Sequence, residues 1–297
     1  GYRMSNELMT AADSSDPISA LMGVHKPPQN KSSLARINVV SSALKGEIEV
    51  GGKKIRTDVV PVGAYKITLG DDVFYAENIH VRMLSDRLQW QRWNATTNEM
   101  EKSVMSNSLN GDMMDSVGGF NLGRPSGYIE DFNALPEATK DIIRTVKRVK
   151  IFMGLLSVES PIDANGNPIS NTYADMPFIM DVKNRDSLKN ITASLDMLKR
   201  KNVLPYMANL VLSGAEASIP TGATYGYTTA TVGDSITPSD IDDAFVRQTA
   251  TDFLDYISYS NGKILDLHSQ RNGSGISDAD AAFVKDIIDN DFVEVPF

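Results

Sequence analysis

Apolar and polar residues alternate with a period of two through much of residues 59–93. Tyr65, Ile67 and Leu69 alternate with Lys66 and Thr68. After Gly70-Asp71-Asp72, Ile79, Val81 and Met83 alternate with Asn78, His80 and Arg82. Runs of this kind predict half-buried antiparallel strands joined by a tight turn. The same pattern starts earlier, in Leu-Ala-Arg-Ile-Asn-Val-Val from Leu34, and Gly51-Gly52 separates Ile48-Glu49-Val50 from Ile55-Arg56 as a hairpin turn. Strands are expected at 34–39, 48–56, 62–69, 73–84 and 88–93. About five short strands at this spacing predict a small antiparallel barrel or sandwich.

Further along, the pattern changes. Residues 94–134 are rich in Asn, Ser, Gly and Met and read as a long loop, with one more strand near 102–105. Residues 135–150 have helical spacing, with Pro136 in the first turn and Ile142, Ile143, Val146 and Val149 on one side. Residues 151–158 form a continuous apolar run and read as a buried strand, answered by a returning strand at 177–182. An amphipathic helix is expected at 186–201, strands at 209–212 and 224–232, and a helix at 238–257 headed by Asp240, Asp242 and Asp243. A last short helix, capped by Ser277, precedes the chain end. The organisation this predicts is an arm at 1–33, a core at 34–232, a helical segment at 233–276 and a tail at 277–297.

Composition narrows the classes. The chain has no cysteine, so disulfides, thiolate metal sites and cysteine nucleophiles are excluded. No window approaches 18 consecutive apolar residues, and the first residues lack the basic-then-apolar pattern of a secretory signal, so the expected setting is cytoplasmic, the host cytoplasm if the source is viral. The net charge of −9 is unevenly spread. From Asp234 to Phe297 there are 13 acidic and 4 basic residues, whereas the rest of the chain holds 25 of each. A neutral body with local basic patches can still bind a polyanion.

The polar face of the first strands mixes cations with flat aromatics. Lys66, His80 and Arg82 share an alternation, with Phe74 on the parity of His80 and Arg82. Arg87, Trp90, Arg92 and Trp93 follow. That mixture suits a ligand both anionic and stackable, for which single-stranded nucleic acid is the common case. Within the predicted helix at 135–150, Arg144, Lys147 and Arg148 are further candidates for phosphate contact. Catalytic and metal signatures are weak. His25, His80 and His268 are far apart. Asp163-Ala-Asn-Gly-Asn167 lacks the sixth-position glycine and the twelfth-position acid of a calcium loop and reads as a turn. There is no phosphate-loop or nucleophile-elbow motif, so the expectation is a protein without catalysis, metal or cofactor.

At the carboxyl end, Asp289, Asp291 and Glu294 surround Phe292, and Pro296-Phe297 closes the chain. This resembles the acidic, Phe-ended tip of single-stranded DNA-binding proteins. With the strand block at 34–93, and Gly-Ala-Tyr-Lys-Ile and Phe-Tyr-Ala-Glu-Asn-Ile-His-Val-Arg within it, the chain is similar over about half its length to phage-type proteins of that class. The resemblance implies a mainly β fold with helical additions (α+β), an OB-like five-stranded antiparallel barrel elaborated by hairpins and C-terminal helices. It implies a coat on exposed DNA during phage replication or recombination. It also implies a tail that competes with DNA and recruits a polymerase, helicase or primase, its terminal aromatic and carboxylate entering a pocket. A homo-oligomer is compatible with it. The other reading that the composition allows is a virion structural or assembly protein without DNA affinity; a hydrolase with dispersed carboxylates is a third.

Overall fold

The computed structural model describes residues 34–272; the expected arm at 1–33, the Ser277-capped helix and the tail fall outside the described residues. Seven strands come first: β1 (Ala35–Val39), β2 (Leu44–Val50), β3 (Lys53–Val60), β4 (Tyr65–Leu69), β5 (Asp72–Ala76), β6 (Asn78–Asn94) and β7 (Glu99–Lys102). After a long connection come α1 (Glu137–Thr145), β8 (Lys147–Val158), β9 (Tyr173–Val182) and α2 (Arg185–Arg200). The pair β10 (Ala208–Ser218) and β11 (Thr224–Ser235) and the helix α3 (Asp243–Arg271) complete the described chain. None of these helices is long and apolar enough to cross a membrane.

The described chain is mainly β, with three helices and one mixed sheet. Eight strands run in the order β11-β10-β6-β8-β9-β1-β4-β5, and β7 adds to the far end of β6. All pairings are antiparallel except β1 with β9. The hairpin β2–β3 stands outside this sheet, turning at Gly51 and Gly52 with both φ angles positive.

The closed five-stranded barrel expected from residues 34–93 does not form. Strand β6 does not pair with β5 or β1; its partners β8 and β10 come from residues 147–218. Such long-range pairing leaves no trace in the local alternation. The sheet is nevertheless curled. Gly63, just before β4, lies against β10 and β11, which are far from β4 in strand order. A Cβ on Gly214 would sit 2.1 Å from the Gly63 carbonyl oxygen, and one on Gly226 would sit 2.6 Å from the Gly63 nitrogen. The Tyr65 hydroxyl donates to Thr228 Oγ1 across the same seam at 3.0 Å. Burial strongly raises the pKa of that phenol, so it stays neutral. The ends of the sheet touch without forming a ladder.

Both faces of the sheet are covered. On one, Ile37, Ile67, Phe74, Ile79, Val81, Phe152 and Phe178 pack with Ile191 and Leu198 of α2. On the other, Val149, Ile151, Met153 and Ile179 pack with Phe253, Tyr256 and Ile257 of α3. Strand β8 is buried on both sides, which is why its sequence reads as an unbroken apolar run. Each fully buried branched or aromatic side chain contributes about 1.5–3 kcal/mol.

Element boundaries moved where tertiary pairing competed with local pattern. The basic helix expected to continue to Lys150 ends at Thr145, and Lys147 already belongs to β8. Val146, Val149 and Ile151 favour extended backbone, and β6 supplies the ladder. The two strands expected at 73–84 and 88–93 are instead β5 and the single long β6, whose register shifts between Met83 and Ser85. Helix α3 runs through Asn261-Gly262, well past residue 257, because the Asn261 amide is tied to both backbone groups of Met105, at 2.7 and 3.0 Å.

Candidate nucleic-acid interface

The structure divides the residues expected to meet DNA between core and surface. Phe74 is 1% exposed, and its ring stacks on Tyr173 with centroids 4.2 Å apart, so it cannot stack on a base. Arg82 is buried, donating from Nε to the Tyr206 carbonyl and from Nη1 to Asp175. Trp90 is 6% exposed among Leu109, Leu122 and Val146, with the Arg124 guanidinium 4.8 Å above its ring. Burial lowers the pKa of Arg124, although a guanidinium keeps its proton at any ordinary pH. Arg92 donates to Glu101 at 2.7 Å and to the Leu122 carbonyl at 2.9 Å, and Arg87 bonds locally to Ser85 and the Asp86 carbonyl. These groups build the fold.

The burial of Trp90 has a local cause. The carboxylate of Asp115, fully buried, accepts backbone N–H groups from Val117, Gly119 and Leu122 at 2.8–3.0 Å. That closes a tight loop, with Asn121 and Leu122 both at φ 54°, and lays Leu122 against Trp90. Arg271, in the last turn of α3, ties the loop down by donating to the Ser116 carbonyl. The loop-rich stretch at 94–134 thus acts as a cover.

Trp93 escapes the cover. It is 53% exposed and pairs with Met100 of β7. Three residues along a strand reverse the face, so Trp93 points away from the side that buries Trp90. On its own side, Gln91 and Met100 line a groove of about 430 Å³ with Arg36, Asn38, Lys102 and Lys183. Asp181 is the one carboxylate in this wall, and Gln91 donates to it at 3.1 Å. Lys66 is exposed and pairs in register with Asn38, and Lys147 pairs with Gln91, so two more cations adjoin the groove.

Of the expected residues, Lys66, Trp93 and Lys147 therefore gather at one end of the sheet. Arg148 is exposed, but in register it lies opposite Trp90, on the other face. Arg144 is exposed beside it, bonded to Asp141 and 5.5 Å from the Phe132 ring. His80, half-buried, lies near the opposite end of β6 with Arg82. Arg36, Lys102 and Lys183 were not anticipated. Arg36 alternates with Ile37 and was visible as a polar-face cation. Lys102 and Lys183 sit at strand ends whose partners were unknown. The tail residues Asp289, Asp291, Phe292, Glu294, Pro296 and Phe297 lie outside the described residues.

Chemically the groove offers cations for phosphates, the amide of Asn38 for a base edge, and an exposed indole beside it for stacking, whereas the buried Gln91 amide donates to Gln89 and Asp181 and the Asn184 carbonyl caps α2. Among the described residues no group of three His, Asp or Glu side chains is placed to hold a metal. No protein-family model, curated protein sequence or solved structure matches the chain.

Proposed function

We propose that the protein binds single-stranded nucleic acid along this groove, without catalysis, and coats exposed strand during phage DNA replication or recombination. What carries the reading is the exposed Trp93 beside a groove whose wall holds Arg36, Lys102 and Lys183 against the lone carboxylate of Asp181. A phosphate backbone would pass Lys66, Arg36 and Lys183, and a base would stack on Trp93. Stacking contributes about 1–3 kcal/mol per base with little regard to its identity. The likeness to an oligonucleotide-binding barrel belongs to this proposal in a modified form: a curled, unclosed sheet extended beyond five strands. The acidic Phe-ended tail, as recruiter of replication proteins and competitor for the groove, belongs to it as well.

The test is a fluorescence titration with single- and double-stranded oligonucleotides at two salt concentrations. Tighter binding of the single strand, weakening steeply with salt and roughly 10-fold or more on Trp93→Ala, supports the reading. Equal affinity of wild type and Trp93→Ala refutes the stacking surface.

One observation favours the alternative of a virion structural or assembly protein. On hairpin β2–β3, Ile48 and Ile55 are direct partners, Val50 shares their face, and all three are exposed. Association into particles without affinity for any oligonucleotide would select that reading.

A further inference from the structure

Hairpin β2–β3 leaves the body of the protein. Its base is held where Val60 is buried with Val40, Ala64 and Tyr75. Beyond that, every residue from Glu47 to Arg56 is exposed, and neither strand pairs with any but the other. Alternation sorts this distal part into two unlike faces. On one, Glu47 stands opposite Arg56 and Glu49 opposite Lys54, so opposite charges meet across the strands. On the other, Ile48 stands opposite Ile55 and Val50 opposite Lys53, and the three apolar side chains are 43–53% exposed. An isolated two-stranded hairpin is marginally stable at best in water, and free edges beside apolar side chains invite another chain.

A cleft of matching character, of about 660 Å³, lies between β6 and the end of α2. It opens where the register of β6 against β8 shifts between Met83 and Ser85, and where Asn202, at φ 56°, turns the chain out of α2. Leu84, Leu195 and Leu204 line it, and Leu204 is 55% exposed. Its charged lining is Asp86 and Asp196 against Lys199, a surplus of one acid. Lys150, outside the lining, stands 4.0 Å from Asp86 and leaves it half open to solvent. The apolar face of the hairpin carries the opposite surplus, the one ammonium of Lys53. Apolar surface and charge are thus complementary, and both surfaces are exposed in their own chain, so neither covers the other there.

Stacking two hairpins face to face is the other way for a second copy to cover the tip. Four residue pairs, on strands about 4.8 Å apart, present on the order of 150 Å², against roughly 800 Å² per partner in a standard interface. A hairpin seated in a cleft buries its edges as well as one face. We propose that the β2–β3 hairpin of one copy enters the Leu204 cleft of the next. The two surfaces differ, so the contact is head-to-tail, and it closes as a ring of two or more copies or continues as a row. It needs no nucleic acid and is separate from the groove at Trp93, so it serves a coat on DNA and a particle alike.

Sedimentation equilibrium of the full chain, freed of nucleic acid, tests it. The weight-average mass should rise above the monomer's with concentration, with Kd of about 100 μM or tighter for the contact. Two variants break opposite halves. Ile48→Thr with Ile55→Thr keeps the β-branching that strands favour and removes apolar surface. Leu204→Lys, at an exposed position, adds to the cleft a charge that repels Lys53. Each alone should weaken association at least roughly 10-fold with the circular dichroism spectrum unchanged. Mixed, they should form a dimer and nothing larger, because one keeps the cleft and the other the hairpin. Trp93→Ala should associate as the wild type does, which separates this contact from strand binding. The proposal is overturned if the wild type stays monomeric, if either hairpin or cleft variant associates fully, if the mixture does not dimerise, or if Trp93→Ala abolishes association. Full dimerisation of Leu204→Lys by itself would mean that hairpins stack on each other instead.

Discussion

The two ends of β6 carry similar residues into different surroundings. Near its start, His80 and Arg82 line a cavity, and the buried guanidinium is held by the Tyr206 carbonyl and Asp175. Near its finish, Trp93 stands in solvent above a groove of cations and amides. The first arrangement spends its cation on partners within the fold, because every unmet donor in a buried place is penalised. The second leaves charge and a flat ring open to a ligand, the pairing on which the proposed strand binding rests. One strand carries both arrangements because alternation only assigns a face, and what covers that face decides the surroundings. Trp90 and Trp93 make the same point at close range: the loop closed by Asp115 buries one and leaves the other out.

The largest expected effect sharpens that last contrast. Trp90→Ala removes a buried indole and the ring beneath Arg124, and should cost about 3–5 kcal/mol in urea unfolding. Trp93→Ala should stay within about 0.5 kcal/mol of wild type while losing oligonucleotide affinity. Equal destabilisation by the two would erase the distinction between the faces. Next in size is the seam on which the curl depends. Gly214→Ala drives a methyl into the Gly63 carbonyl and should cost about 1–3 kcal/mol or more, read as a lowered urea midpoint. A variant as stable as wild type would mean that the sheet ends are free to part.

Smaller effects follow. Lys183→Gln should lower the slope of log affinity against log salt by about 0.7, the loss of one single-strand phosphate contact. An unchanged slope would place the phosphates elsewhere. Smallest is Asp252 on α3. Partial burial raises its carboxyl pKa; a hydrogen bond from Gln248 opposes the shift, and Asp255 adds to it. The folded chain therefore holds this proton more tightly than the unfolded chain. The cost is present above the folded pKa and is relieved as pH falls through it toward the unfolded value. Asp252→Asn should stabilise by about 0.5 kcal/mol or less at pH 7, since the group is half in water, and by nothing well below pH 4. A Tm difference that persists at low pH would contradict this cause.

Much of the local structure was legible. The turn at Gly70 lies between β4 and β5 as its Gly-Asp-Asp step predicts, and α2 spans Arg185–Arg200 where 186–201 was expected. Phe74 shows why the candidate site was less so. Its parity with His80 and Arg82 suggested a solvent face, but parity is lost across the turn between strands, and Phe74 belongs to the core stacked on Tyr173. Arg82 shares a face with His80, as the alternation implies, yet Asp175 and the Tyr206 carbonyl arrive from residues more than ninety positions away.

By itself, the sequence determined which segments extend, which coil into helices and where the backbone turns, because those preferences act between residues a few positions apart. Only the tertiary structure decided which strands are neighbours, that the sheet curls without closing, and which tryptophan meets water. Those outcomes depend on contacts between distant residues, where burial and hydrogen-bond satisfaction outweigh any local preference.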